Sequence, residues 1–94
     1  MYVVWGSFLK PASLQGCLAV AEASLRGQGL KVLKGADGAD FLVVGGNPAV
    51  TLTIVCVPQP HDTWIVVSAS AADPATATRA LDVTQGMIQS AAVG

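Results

Sequence analysis

The stretch from Val50 to Ser70, VTLTIVCVPQPHDTWIVVSAS, limits what this chain can become more than any other part of it. Two runs rich in β-branched residues flank Pro58-Gln-Pro-His-Asp62. Such runs, bounded by turn residues, read as strands. Proline cannot donate to a ladder, so Pro58 and Pro60 end the first run. The spacing predicts strands over Val50 to Val57 and Thr63 to Ser70, paired as an antiparallel hairpin. Side chains along a strand alternate between two faces. On the first strand Val50, Leu52, Ile54 and Cys56 share a wholly apolar face, and Thr51, Thr53, Val55 and Val57 share the other. On the second, Ile65, Val67 and Ala69 read as core, while Trp64, Val66, Ser68 and Ser70 face away.

An apolar strand face needs a cover, and the chain supplies two amphipathic helices. Leu14, Cys17, Leu18, Ala21 and Leu25 recur at helical spacing, with Gln15, Glu22 and Arg26 opposite. Lys10-Pro-Ala-Ser13 reads as the entrance, with proline in the first turn and Ser13 as a cap. Gly27-Gln-Gly29 ends the helix, because glycine accepts a left-handed cap. Near the other end of the chain Asp73-Pro74 gives an N-cap and a proline at the first helical position. Ala77, Ala80, Leu81, Thr84, Met87, Ile88 and Ala91 form the buried stripe that follows, and Asp82, Gln85 and Gln89 face out.

The remaining segments extend the sheet. Tyr2 to Phe8 reads as a first strand, with Gly6 marking a bulge or bend. Leu30 to Leu33 and Phe41 to Val44 read as short strands, separated by a turn over Lys34 to Asp40. Gly45-Gly-Asn-Pro48 reads as a further turn. The order is β-α-β-β-β-β-α in a single domain over 1–94, with neither internal repeat nor linker. Short turns imply antiparallel pairing, and two amphipathic helices need a sheet to cover. The expected fold is a two-layer α+β sandwich with both helices on one face.

That architecture leaves the second sheet face uncovered. Val55, Val57, Trp64 and Val66 belong to it, and the first strand adds either Trp5 or the set Tyr2, Val4 and Phe8. The free face of an antiparallel sheet is ordinarily polar. Here the whole chain is 52% hydrophobic and only 12% charged, against about 25% charged in ordinary domains. Such a surface is expected to be covered by a partner, most simply a second copy in a C2 homodimer, or else by an unidentified protein. The plainer alternative is a sheet that curls and partly covers this face itself. The net charge of −1 and the scattered Lys and Arg give no basic patch, which argues against nucleic acid. No apolar run reaches the roughly 20 residues of a membrane helix, which argues against membrane insertion.

Cys17 lies on the buried stripe of the first helix and Cys56 on the core face of a central strand, so both point into one layer. Two readings stay open: a disulfide, or two free buried thiols acting as small hydrophobes. A zinc site is short of ligands, with only His61 to add, and the C-x-x-C spacing of thioredoxin-type redox chemistry is absent. His61 and Asp62 sit in a turn, where neighbours rarely point together and no nucleophile is placed near them, so a surface turn is the expected reading. Gly35 to Asp40 lacks the spaced ligands and closing Glu of an EF-hand. Gly45-Gly46 precedes a strand, so it cannot present amides at a helix N-terminus as a P-loop does. Met87 and the alanines of the last helix read as core. Neither catalytic residues nor a metal or cofactor site are expected.

The helix segment Leu14-Gln-Gly-Cys17-Leu-Ala-Val-Ala-Glu22 and the strand segment Thr51-Leu-Thr-Ile-Val-Cys56 resemble those of small uncharacterised bacterial α+β proteins, many of them exported, that pair a helix Cys with a strand Cys. The resemblance runs from Leu14 to the last helix. It implies a disulfide and a periplasmic or extracellular site, and no known activity. Met1-Tyr-Val-Val-Trp5 lacks the basic region of a signal peptide. Met1 is then either a native start, giving a cytoplasmic protein, or a replacement for a removed leader, giving an exported one. The functional expectation is a non-enzymatic domain that binds itself or a partner through its outer sheet face. A small ligand-binding or enzyme-accessory domain with a pocket between sheet and helices is the second reading, and a redox protein using Cys17 and Cys56 the third.

Overall fold

The hairpin lies at the middle of a five-stranded antiparallel sheet. The computed structural model describes residues 1–35 and 41–91. Strands β4 (Val50–Pro58) and β5 (Thr63–Ala71) pair in one unbroken register from Val50↔Ala71 to Pro58↔Thr63. Strand β1 (Tyr2–Lys10) takes the free side of β5, again without a break, from Tyr2↔Ala71 to Lys10↔Thr63. Strand β3 (Leu42–Asn47) pairs with β4, and β2 (Lys31–Lys34) with β3. The spatial order is therefore β1-β5-β4-β3-β2. Helices α1 (Leu14–Gly27) and α2 (Pro74–Ser90) complete the expected α+β order, β-α-β-β-β-β-α.

Strands β1 and β2 are consecutive in the chain yet form opposite edges of the sheet. Helix α1 makes that crossing and packs on β2, β3 and β4, while α2 lies beneath β1 and β5. The layer between is filled by Leu18, Leu25, Leu52, Ile54, Ile65 and Ile88, all fully buried. Each such side chain contributes about 1.5–3 kcal/mol relative to its exposed state. The alternation of β5 appears as written, with Ile65, Val67 and Ala69 buried beneath the sheet.

Local chemistry fixes the helix ends. Ser13 Oγ accepts from the Gly16 amide at 3.0 Å, so Pro11 stands before the cap rather than in the first turn. At the far end Gly29 adopts φ +76°. Its amide bonds to Arg26 O at 2.9 Å and the Leu30 amide to Leu25 O at 3.0 Å. This is a Schellman motif, and Leu30 packs on the core as the motif's apolar contact. Asp73 caps α2 by accepting from the Thr76 amide at 2.9 Å and the Thr76 hydroxyl at 2.7 Å.

The structure departs from the sequence-based expectation at several points. Gly45, Gly46 and Asn47 belong to β3, and only Pro48 and Ala49 form the turn. Asn47 Oδ1 holds that turn by accepting from the Ala49 and Val50 amides at 2.8 and 3.0 Å. The glycines permit close approach: a Cβ on Gly45 would stand 2.7 Å from Lys31 O and 2.8 Å from Leu25 Cδ1. Strand β1 continues to Lys10, because Leu9 and Lys10 still pair with Trp64 and Thr63. Gln85 is half-buried rather than turned fully outward; its side chain lies where a Cβ on Gly6 would be. Ser24 is buried in α1, its hydroxyl donating to Ala21 O at 2.7 Å. The turn expected over Lys34 to Asp40 falls mostly on 36–40, outside the described residues.

Candidate interaction face

The pairing registers bring the expected surface residues into rows across the sheet. Leu9, Trp64 and Val57 form one row, and Ser7, Val66, Val55 and Leu42 the next. Trp5, Ser68, Thr53 and Val44 form a third, followed by Val3, Ser70, Thr51 and Gly46. All five expected residues, Trp64, Val66, Val55, Val57 and Trp5, thus share the face away from the helices. The ambiguity of the first strand resolves in favour of Trp5, since Val4 and Phe8 pack against the core.

Exposure across this face is greatest on the edge strand β1. Val55 and Val66 have strands on both sides and are half-buried, as is Val57, which has Trp64 of β5 beside it. Val3, Trp5 and Leu9 stand on the edge and are 63%, 67% and 60% exposed. Trp64 is 40% exposed. Leu9, Val3, Leu42 and Val44 were missed as face residues by sequence reasoning. The parity of Leu9 and Val3 with Trp5 carried the signal, once the strand is known to run past Phe8.

The first two rows carry no charge, but β2 sets Lys34 beside Val44 and Lys31 beside Gly46, so the third and fourth rows end in lysines. Among the described residues Glu22 and Arg26 lie on α1, Asp73, Arg79 and Asp82 on α2 or at its cap, and Lys10 faces inward. Lys31 and Lys34 stand on β2, at the far edge of the sheet. The Thr76 hydroxyl and amide hold the Asp73 carboxyl below the ordinary aspartate value, with Arg79 adding a smaller effect.

On the inner face Cys17 and Cys56 are joined by a disulfide, with their Cα atoms 6.4 Å apart. The bond ties α1 to β4, and both residues are fully buried. It closes a loop across 39 positions, worth about 4 kcal/mol on chain-entropy grounds. His61 is exposed in the β4–β5 turn, whose backbone is closed by the Gln59 amide on Asp62 O at 2.9 Å. Open concavities lie outside the layer between sheet and helices. One of about 360 Å³ sits at the β2 corner of the free face, beside Lys31, Leu33 and Thr51. Another of about 280 Å³ lies between the helices, beside Val20, Ser24 and Met87. No described helix is long and apolar enough to cross a membrane. No protein-family model matches the chain, and no curated protein matches it at a significant level.

Proposed function

We propose that this chain is a non-enzymatic self-association domain whose free sheet face docks on the same face of a second copy. The observation that carries the reading is a sheet surface across β1, β5, β4 and β3 holding two tryptophans and a cluster of aliphatic side chains, with its charge confined to Lys31 and Lys34 on the flanking β2. Four strands about 4.8 Å apart, the longest of nine residues rising about 3.3 Å each, make this face roughly 19 by 30 Å. That is on the order of 600 Å² per partner, about the size at which specific interfaces begin. Ser68, Thr53, Ser70 and Thr51 fill the middle of the third and fourth rows and supply hydrogen-bonding groups beside the apolar end of the face.

The test is the mass of the chain in solution. Trp64→Ser removes the largest apolar group at one end of the face and leaves the buried layer untouched. Sedimentation should show the variant with half the assembly size of the wild type at equal concentration. An unchanged mass would sink the reading. The Cys17–Cys56 bond further supports an exported protein, because such bonds persist in oxidising compartments. Alkylation of whole cells before lysis tests this: the pair should resist the reagent under denaturing, non-reducing conditions.

A further inference from the structure

The two edges of the sheet are built differently. Strand β2 has only four residues, carries Lys31 and Lys34, and shifts register between Val32 and Lys34. Short length, lysine and irregularity are the devices that keep an edge from pairing with another chain. Strand β1 has none of them. It runs nine residues in unbroken register with β5 and contains no proline. Its one charged residue, Lys10, is buried, with Nζ donating to Gln89 O at 3.1 Å and Ala91 O at 2.8 Å.

We propose that β1 is a second, separate interface, on which β1 of another copy pairs antiparallel to extend the sheet to ten strands. Antiparallel pairing of a strand with itself places a two-fold axis normal to the sheet, which makes the contact isologous. Both helix layers then stay on one side and both free faces on the other. Val3, Trp5 and Leu9, exposed because they lack neighbours on one side, gain cross-strand partners.

The second layer fits the same operation. Helix α2 packs beneath β1 and β5 alike. With strands about 4.8 Å apart, the two α2 axes come to roughly 10 Å, the spacing of packed helices. Gln85 of α2 lies beneath Gly6 of β1, so the helix reaches the edge of the sheet. The edge wall is about 30 Å long by strand rise. With the smallest molecular extent of 20 Å as its height, it offers on the order of 600 Å² per copy. Two such walls reach the roughly 1,200 Å² at which specific interfaces begin. With the face axis running across the strands and meeting the edge axis at a right angle, the two contacts close into a D2 tetramer.

Amide hydrogen exchange joined to sedimentation tests the edge and the face apart. Alternate amides of β1 point away from β5, and only edge pairing protects them. In wild type these amides should become protected as concentration rises, with a mass of four copies. In Trp64→Ser the mass should fall to two copies while the same amides stay protected. If the edge pairs and the face does not, both proteins are dimers with protected amides, which supports this proposal alone. A wild-type dimer that becomes monomeric in Trp64→Ser, with freely exchanging edge amides, overturns it and leaves the face reading standing. A monomer whose edge amides exchange freely at every concentration also overturns it, and leaves the edge to a foreign strand.

Discussion

Lys10 at the end of β1 donates from Nζ to the main-chain oxygen of Ala91 at 2.8 Å, beyond the last turn of α2. A second bond reaches Gln89 O. The chain thereby uses a buried ammonium to satisfy carbonyls that the helix end leaves open, at the end where the macrodipole favours a cation. The same contact fastens the edge strand to the helix beneath it. Lys10→Met keeps the aliphatic stem and removes both bonds. It should cost about 1.5–3 kcal/mol in urea unfolding, the range for hydrogen bonds to a charged group. Lys10→Arg should recover part of the loss.

The Cys17–Cys56 bond holds α1 on β4 from within the core. Replacing both with alanine should lower stability by about 2–5 kcal/mol. Because both residues have no exposure, a reductant reaches the bond only in an opened chain. Reduction under native conditions should therefore track the unfolding rate and accelerate sharply in sub-denaturing urea. Rapid reduction in buffer, at the rate of an exposed disulfide, would contradict the placement.

Two glycines should respond to alanine in opposite directions. At Gly45 the new methyl would press on the Lys31 carbonyl and on Leu25, where β3 lies close to β2 and α1. Gly45→Ala should destabilise by about 1–3 kcal/mol. At Gly86, inside α2, a Cβ meets nothing within 4 Å. Gly86→Ala should stabilise by about 0.5–1 kcal/mol, because the helix then no longer restrains a glycine. Thermal melts of the two variants decide this.

Asp73 links stability to pH. Its carboxyl is held below the ordinary value of 3.8, first by the Thr76 hydroxyl and then by the Thr76 amide. A carboxyl depressed in the folded state contributes stability that is present above its unfolded pKa and lost as pH falls through its folded pKa. Asp73→Ala should therefore be less stable than wild type at neutral pH. The difference should shrink below about pH 4 as the cap protonates. A gap that stays constant from pH 7 to pH 2 would show that the carboxylate is not the group responsible.

Adjacent valines on β5 should separate folding from association. Val67 is fully buried beneath the sheet, and Val66 lies half-buried on the free face. Val67→Lys should abolish cooperative unfolding, since it buries an unpaired charge. Val66→Lys should keep a native melt and disperse the face-to-face assembly. Circular dichroism and sedimentation on the same samples check both outcomes.

Much of this protein is determined by local pattern. Alternation in β4 and β5 sorts Ile54 and Ile65 from Val55 and Val66, because side chains of any extended strand take opposite sides. The spacing of Cys17, Leu18, Ala21 and Leu25 marks the buried stripe of α1, and Asp73-Pro74 announces α2, because helix caps depend only on neighbouring residues. Other features depend on residues far apart in the chain. The two-glycine run at 45–46 has the composition of a turn, yet it is strand because Leu25 and Lys31 crowd the space where side chains would go. The parity of β1 is ambiguous until its pairing with β5 turns Trp5 outward and Phe8 inward. The buried role of Lys10 exists only once α2 ends beneath it, 81 positions away in the chain. The strand order, which makes β1 a long open edge, was equally beyond local pattern. Local spacing decides which side of an element is apolar; only the folded layers decide what stands against it.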